Sequence, residues 1–385
     1  MRQGLQLQQN ISRRQCLQHL AAAGAATSGL AALPAWAQRP ASSTATSTSA
    51  LTSTSASASA SAVAGAGLKL EKRAVQMVVY NKAALAYLPL TVAEHLGYFA
   101  AEGLELDIQE VPSLVRAQQL ASSGAADMVT GWIENTLALQ PKGQQFQAFV
   151  LMGRAPQIAL GLSPKTMPNA KSLADLAGKK VGIMAPGTPS HTVAHAALSR
   201  AGLRLGDMGF VSVGTPAGAL AALRAGQIDA ISYTDPLITQ LEQRGELRVM
   251  ADTRTLQGTV QACGGEMPAS CLYASPEFVQ KHPATTQAVA FAVVRALKWL
   301  QTAGLSDLLK IVPEVYFAGD RALYLAAFAR MREAIAIDGV ISPVGVRNTL
   351  DAMRSAEPLL RMETIDPAKC FTNVFAIKAK QRFQV

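Results

Sequence analysis

His191 and His195 stand four residues apart, a spacing that places two imidazoles on one face of a helix, as metal-binding pairs are placed. No glutamate lies between them in the zinc-protease arrangement, so the pair does not support a metal centre. Ser190 precedes His191, but the Gly-x-Ser-x-Gly frame of a hydrolase nucleophile is missing. Cys263 and Cys271 frame Gly-Gly-Glu-Met-Pro-Ala-Ser. In an oxidising compartment they could close a short loop; the alternative is that they and Cys370 remain partly buried thiols. Their spacing fits no common zinc site. These patterns call for no metal and no cofactor, and point away from catalysis.

The chemistry they do suggest is binding by helix starts. Thr188-Pro189, Thr215-Pro216 and Asp235-Pro236 each set a capping side chain before a proline suited to the first helical position, and Ser113 after Pro112 offers a cap directly. Pro89 after Leu88 would open a further helix over 90–96. Each start presents unpaired N–H groups and the positive end of a helix dipole, so several converging on one cleft would receive an anion. Asp235 and Glu266 run against that reading, because carboxylates favour a ligand with donors or positive charge.

The elements that must carry these starts come in two similar sets. Val75-Gln-Met-Val-Val-Tyr80 and Lys180-Val-Gly-Ile-Met184 read as strands, and each is followed by an amphipathic helix ending in Gly-Leu, at Gly103-Leu104 and Gly202-Leu203. A second strand follows over 104–111 or 209–213, then a second helix. That helix closes with Ser123-Gly124-Ala-Ala-Asp127 in one set and Ala225-Gly226-Gln-Ile-Asp229 in the other, leading into a third strand. Two βαβαβ units about 100 residues apart imply two α/β lobes with parallel strands and helices on both faces. In such sheets ligands bind beyond the carboxyl ends of the strands. A strand over 269–274 and helical spacing over 276–300 and 322–337 then return the chain to the first lobe.

The N-terminus reads as an export signal: Arg13-Arg14, an uncharged Ala- and Gly-rich run over 20–37, and Ala35-Trp36-Ala37 as a cleavage site, with cleavage after Ala37. The paired arginines are twin-arginine-like, with an ordinary secretory signal as the alternative. Residues 38–69 are Ser/Thr/Ala-rich, a composition that cannot offset chain entropy, and predict a disordered tether. The net charge of +9 falls to +6 once Arg2, Arg13 and Arg14 leave with the signal. The basic residues are scattered and not interleaved with aromatics, which argues against nucleic acid.

The stretches Tyr87-Leu-Pro-Leu-Thr-Val-Ala-Glu-His-Leu-Gly-Tyr-Phe99, Ser172-Leu-Ala-Asp-Leu-Ala-Gly-Lys-Lys-Val-Gly182 and Leu223-Arg-Ala-Gly-Gln-Ile-Asp-Ala-Ile231 resemble the substrate-binding proteins of the taurine, aliphatic-sulfonate, nitrate and thiamine-precursor ABC importers. The resemblance covers roughly 75–299. It implies a type II periplasmic-binding-protein fold: two doubly wound α/β lobes joined by a two-stranded hinge, with the ligand cleft between them. The lobes are expected over 70–158 with 262–385, and over 159–261, with crossings near 154–162 and 258–272. It implies a monomeric periplasmic solute-binding component that captures a small organic molecule, expected to be anionic, and presents it to a membrane permease and ATPase. An enzyme of the same fold acting on a small heterocycle, or a subunit feeding a sensor, is the alternative. Carrying the family's strand-end loops onto this chain places Asn81, Tyr87, Ser113, Gly131, Trp132, Gly187, Thr188, Ser190, His191, Tyr233, Asp235 and Glu266 around the cleft. Arg154, beside the first crossing, is either a partner for an anionic group or a solvated hinge arginine.

Overall fold

The computed structural model describes residues 68–385. The expected export signal, its expected cleavage site and nearly all of the expected tether lie outside the described residues.

The first βαβαβ unit runs β1 (Ala74–Tyr80), α1 (Leu88–His95), α2 (Tyr98–Ala101), β2 (Glu105–Val111), α3 (Leu114–Ser122) and β3 (Met128–Trp132). Next come α4 (Ile133–Ala138), β4 (Gln147–Leu151) and β5 (Ile158–Leu162). The second unit is β6 (Lys180–Ile183), α5 (Pro189–Arg200), β7 (Gly209–Ser212), α6 (Pro216–Ala225) and β8 (Ala230–Thr234), followed by α7 (Leu237–Gln243), β9 (Arg248–Asp252), α8 (Leu256–Cys263) and β10 (Ser270–Ala274). Helices finish the chain: α9 (Pro276–Lys281), α10 (Pro283–Thr302), α11 (Leu305–Ile311), α12 (Arg321–Met331), α13 (Pro343–Ala356) and α14 (Val374–Phe383). The apolar run over 276–300 is thus two helices, because Pro283 supplies no N–H to continue the first and instead opens the second.

The two sheets are ordered β2-β1-β3-β10-β4 and β7-β6-β8-β5-β9. In each, the first strand of the unit lies between the second and third, all parallel, and an antiparallel strand from outside the unit joins the third. The equivalent aspartates explain part of the likeness. Asp127 accepts the backbone N–H of Gln76 at 2.9 Å and Asp229 accepts that of Lys180 at 3.0 Å, so each pins the start of its third strand to the first strand of its unit. Gly226, at φ +72°, ends α6 in the left-handed conformation a glycine adopts freely, which turns the chain into that aspartate.

One core fills the first lobe and includes Met77, Leu90, Phe149, Leu297 and Phe328. The second sheet carries a core on each face, one with Leu160, Val181 and Leu198, the other with Ile231, Leu223 and Leu241. This alternation follows from strands covered by helices on both sides. A smaller cluster joins the lobes: Ile158, Val193, Ala196, Met267 and Ala352, with Trp132 and Cys263 packed against it.

The crossings are shorter than the sequence suggested. Residues 158–162 form a fully buried strand of the second sheet, so Ile158 falls with the second lobe. The start of the other crossing, 258–263, lies in α8. Met152 and Gly153 donate to Ser270 O at 2.7 and 3.0 Å, and Gln157 donates to Thr253 O at 3.1 Å, so the two connecting strands are tied at both ends. Arg154 Nε donates to Glu333 O at 2.9 Å, which ties it to the C-terminal segment, and the residue stands outside the lining of the interlobe cavity.

The disulfide expected as one alternative is not formed, and Cys263, Cys271 and Cys370 are free. Cys271 points from a central strand into the first core with Cys370, whereas Cys263 ends α8 and packs at the second lobe. Eight residues of separation carry the chain from one lobe to the other, so sequence proximity does not make the two thiols neighbours.

Candidate ligand cleft

A cavity of about 460 Å³ opens between the lobes at the carboxyl ends of the parallel strands, within the size range of small-molecule sites. Tyr80 and Asn81 enter it from the end of β1, Trp132 from the end of β3, Met184 from beyond β6, and Thr234 and Asp235 from the end of β8. Five of the residues expected around the cleft are therefore brought together there: Asn81, Tyr87, Trp132, Tyr233 and Asp235.

Aromatic rings dominate the wall. Tyr87 is buried, its hydroxyl facing the Trp132 and Thr130 side chains, and burial pushes that hydroxyl well above its ordinary pKa. The Tyr233 hydroxyl donates to Gly214 O at 2.7 Å, which fixes the ring between the loop after β7 and the cavity. Tyr316, Phe317 and Tyr324 come from the segment before and within α12, and Phe317 and Tyr324 meet edge to face at 5.0 Å. Asn81 turns the chain with a left-handed φ of +57°, its carbonyl accepting the Ala84 N–H at 2.9 Å, a conformation asparagine tolerates better than most residues.

Asp235 is anchored behind the wall. Its Oδ1 accepts both the N–H and the hydroxyl of Thr239 at 2.8 Å, and Oδ2 lies 3.3 Å from Arg254 Nη1. Burial pushes the carboxyl up, opposed by Arg254 and Thr239. Arg254 is 1 % exposed and serves three carboxylates, with Asp252 at 2.7 Å and Glu242 at 3.0 Å besides Asp235. Burial opposes its charge, but those partners raise its pKa overall. The aspartate therefore shapes the start of α7 and holds the arginine, as its position before Pro236 suggested.

Seven expected residues stand outside the cavity lining. Ser113 caps α3 by accepting the Arg116 N–H at 3.2 Å. Gly131 lies within β3, where an added Cβ would meet Asn135 Nδ2 at 2.6 Å and the Tyr273 ring at 2.7 Å. Gly187 and Thr188 precede α5, and the Thr188 hydroxyl donates to Ala185 O at 2.6 Å instead of capping the helix. The Ser190 hydroxyl accepts the Met184 N–H at 2.9 Å and is buried. His191 Nδ1 lies 3.2 Å from Glu357 Oε1, and burial lowers its pKa against the pull of that carboxylate. Glu266 accepts from the Ser342 hydroxyl at 2.6 Å, beside α13. The start of α5 is thus committed to packing against the C-terminal helices.

Several lining residues lie outside the expected set. Gln157 from the first crossing, Leu220 from α6, Gln240 from α7 and the aromatic group around α12 complete the cavity. A cap signal, Asp320 before α12, was present in the sequence for the last of these; its Oδ1 accepts the Leu323 N–H at 2.8 Å.

The fold and its interlobe cavity define a periplasmic-binding-protein architecture. Comparison with known proteins agrees: a protein family model described as NMT1/THI5-like matches residues 85–303, more than half of the chain. The chain belongs to that family. A solved protein from Bordetella bronchiseptica RB50 is 44 % identical, with a TM-score of 0.73 over 82 % of this chain and 100 % of that one. The alkanesulfonate-binding protein SsuA from Xanthomonas axonopodis pv. citri, solved bound to MOPS, is 18 % identical, with a TM-score of 0.61 over 79 % of this chain and 99 % of its own. The periplasmic nitrate-binding protein NrtA from Synechocystis PCC 6803 is 13 % identical, with a TM-score of 0.65 over 82 % and 90 % respectively. At such identities the last two speak for the fold. A search of curated protein sequences finds no match to the chain.

Proposed function

We propose that this chain is the solute-capturing component of an ABC import system: exported, cleaved after Ala37, and working as a monomer in the periplasm. The observation that carries the reading is the cavity lined from both lobes, with Tyr80, Trp132 and Tyr316 on one side and Met184, Leu220 and Tyr233 on the other. A ligand touching both lobes lowers the closed state relative to the open one, and the closed form is what a permease and its ATPase recognise. The chemistry is capture and release, with the ligand leaving unchanged.

Native mass spectrometry of the protein purified from its own cells, paired with small-angle scattering before and after ligand removal, tests this. A stoichiometric, unmodified small molecule whose removal expands the particle supports capture by closure. A chemically altered product would move the chain to an enzyme of the same fold. A particle whose dimensions do not change on ligand removal would overturn closure itself.

A further inference from the structure

The helix starts predicted an anion receptor, but the charged groups around the cavity are mainly carboxylates. Asp320 lines it, and Asp235 enters the lining with its carboxylate turned back onto Thr239 and Arg254. Glu94 and Glu110 stand near Tyr316, where burial first, and these two carboxylates after it, raise the pKa of the tyrosine hydroxyl. The basic groups close to them are paired with carboxylates. Lys82 Nζ sits 2.7 Å from Glu94, Arg254 is divided among Asp235, Asp252 and Glu242, and Arg321, next to Asp320 and over the Phe317 ring, pairs with Glu314. Among the described residues, no lysine, arginine or histidine lines the cavity. Two helix starts that could hold an anion are occupied as well: Asp320 accepts the Leu323 N–H of α12, and Asp235 accepts the Thr239 N–H of α7. An anion entering here would lose its hydration beside fixed negative charge.

The same wall suits a different guest. Seven aromatic side chains line the cavity, offering faces to a flat ring or a cation. Gln157, 4 % exposed and within the lining, has an Oε1 with no donor among the described residues. A turn of that side chain into the cavity would offer the unpartnered acceptor to a ligand N–H.

Resting on the capture reading above, we infer that the cleft takes an aromatic molecule carrying N–H donors, neutral or positively charged, and discriminates against sulfonates, carboxylates and nitrate. Rings would stack among Tyr87, Trp132, Tyr233 and Tyr316, the donor would meet Gln157 Oε1, and positive charge would be favoured by Asp320.

Ring-matched probes separate charge from shape. Benzylamine, benzamide, benzoate and benzenesulfonate, with taurine and nitrate as small anions, are titrated into the ligand-stripped full chain by calorimetry. Benzylamine and benzamide should bind at least about tenfold more tightly than benzoate and benzenesulfonate. Asp320→Asn, which keeps a helix cap, should narrow the advantage of benzylamine over benzamide, and Gln157→Leu should weaken both. Equal or tighter binding of the aromatic anions, or saturable binding of taurine or nitrate, would overturn the ligand class while leaving capture by closure intact. A panel silent throughout would overturn the class as well, and the scattering experiment above then decides separately whether capture stands.

Discussion

Glu134 offers the sharpest test of how the lobes meet. It lies in the first turn of α4, only 5 % exposed, and neither carboxylate oxygen has a hydrogen-bond partner among the described residues. Burial pushes the carboxyl up to about 8, against the opposing pull of the nearby Thr192 side chain of α5. Its neighbour Cys263, at the end of α8, is pushed up to about 12 by burial, with Glu134 adding to the effect. Because the folded pKa lies above the ordinary value of 4.5, the group's stabilising contribution is complete below 4.5 and is lost as pH rises through about 8. At 1.36 kcal/mol per pH unit, that range corresponds to on the order of 5 kcal/mol. Glu134→Gln keeps the shape and removes the titration. Urea unfolding of both proteins at pH 4, 7 and 9 should give a difference near zero at pH 4 that grows in favour of the variant to several kcal/mol at pH 9. Taking the difference cancels the other titrating groups, including His191 and His195, whose pKa values burial lowers. A variant less stable than the parent at pH 9 would show that the carboxylate is ionised and partnered in the folded protein, and would refute the argument.

Three further outcomes are expected. Arg254→Met leaves Asp235, Asp252 and Glu242 without their shared cation and should cost about 3–5 kcal/mol in urea unfolding; a loss below about 1 kcal/mol would show that the cluster is hydrated or protonated. Gly187→Ala places a side chain at φ +72° in open space, so it should cost roughly 1 kcal/mol of stability and leave ligand affinity unchanged; a weakened ligand would return the start of α5 to the site. The thiols Cys263, Cys271 and Cys370 should all react in denaturant, and reductant should leave the melting temperature of the mature chain unchanged; a reductant-sensitive melting temperature would indicate a bridge.

What was legible in the sequence follows from the range of the interactions involved. The βαβαβ units were readable because period, cap and turn are local: a strand of buried residues, a proline or serine at a helix start, and an aspartate three residues after a glycine each act within a few positions. Asn81, Trp132 and Asp235 reach the cleft because a parallel strand ends there, so the topology alone delivers them. Tyr316, Phe317 and Tyr324 arrive through tertiary packing, from a segment with no counterpart in the repeat. The start of α5 stands outside the cavity lining for the converse reason. It has the local signature of an anion site, yet Ser190 is occupied by Met184 N–H and His191 by Glu357, the latter 166 positions away. A helix start is receptive only where no other part of the chain has already met it, and that condition is set by tertiary structure. The same condition governs charge in the cleft. Several capped starts in one chain suggest a positive pocket, but two of them here are answered by the carboxylates of Asp235 and Asp320. A motif that attracts anions can thus be closed by the chain's own anion, leaving the aromatic wall to choose the guest.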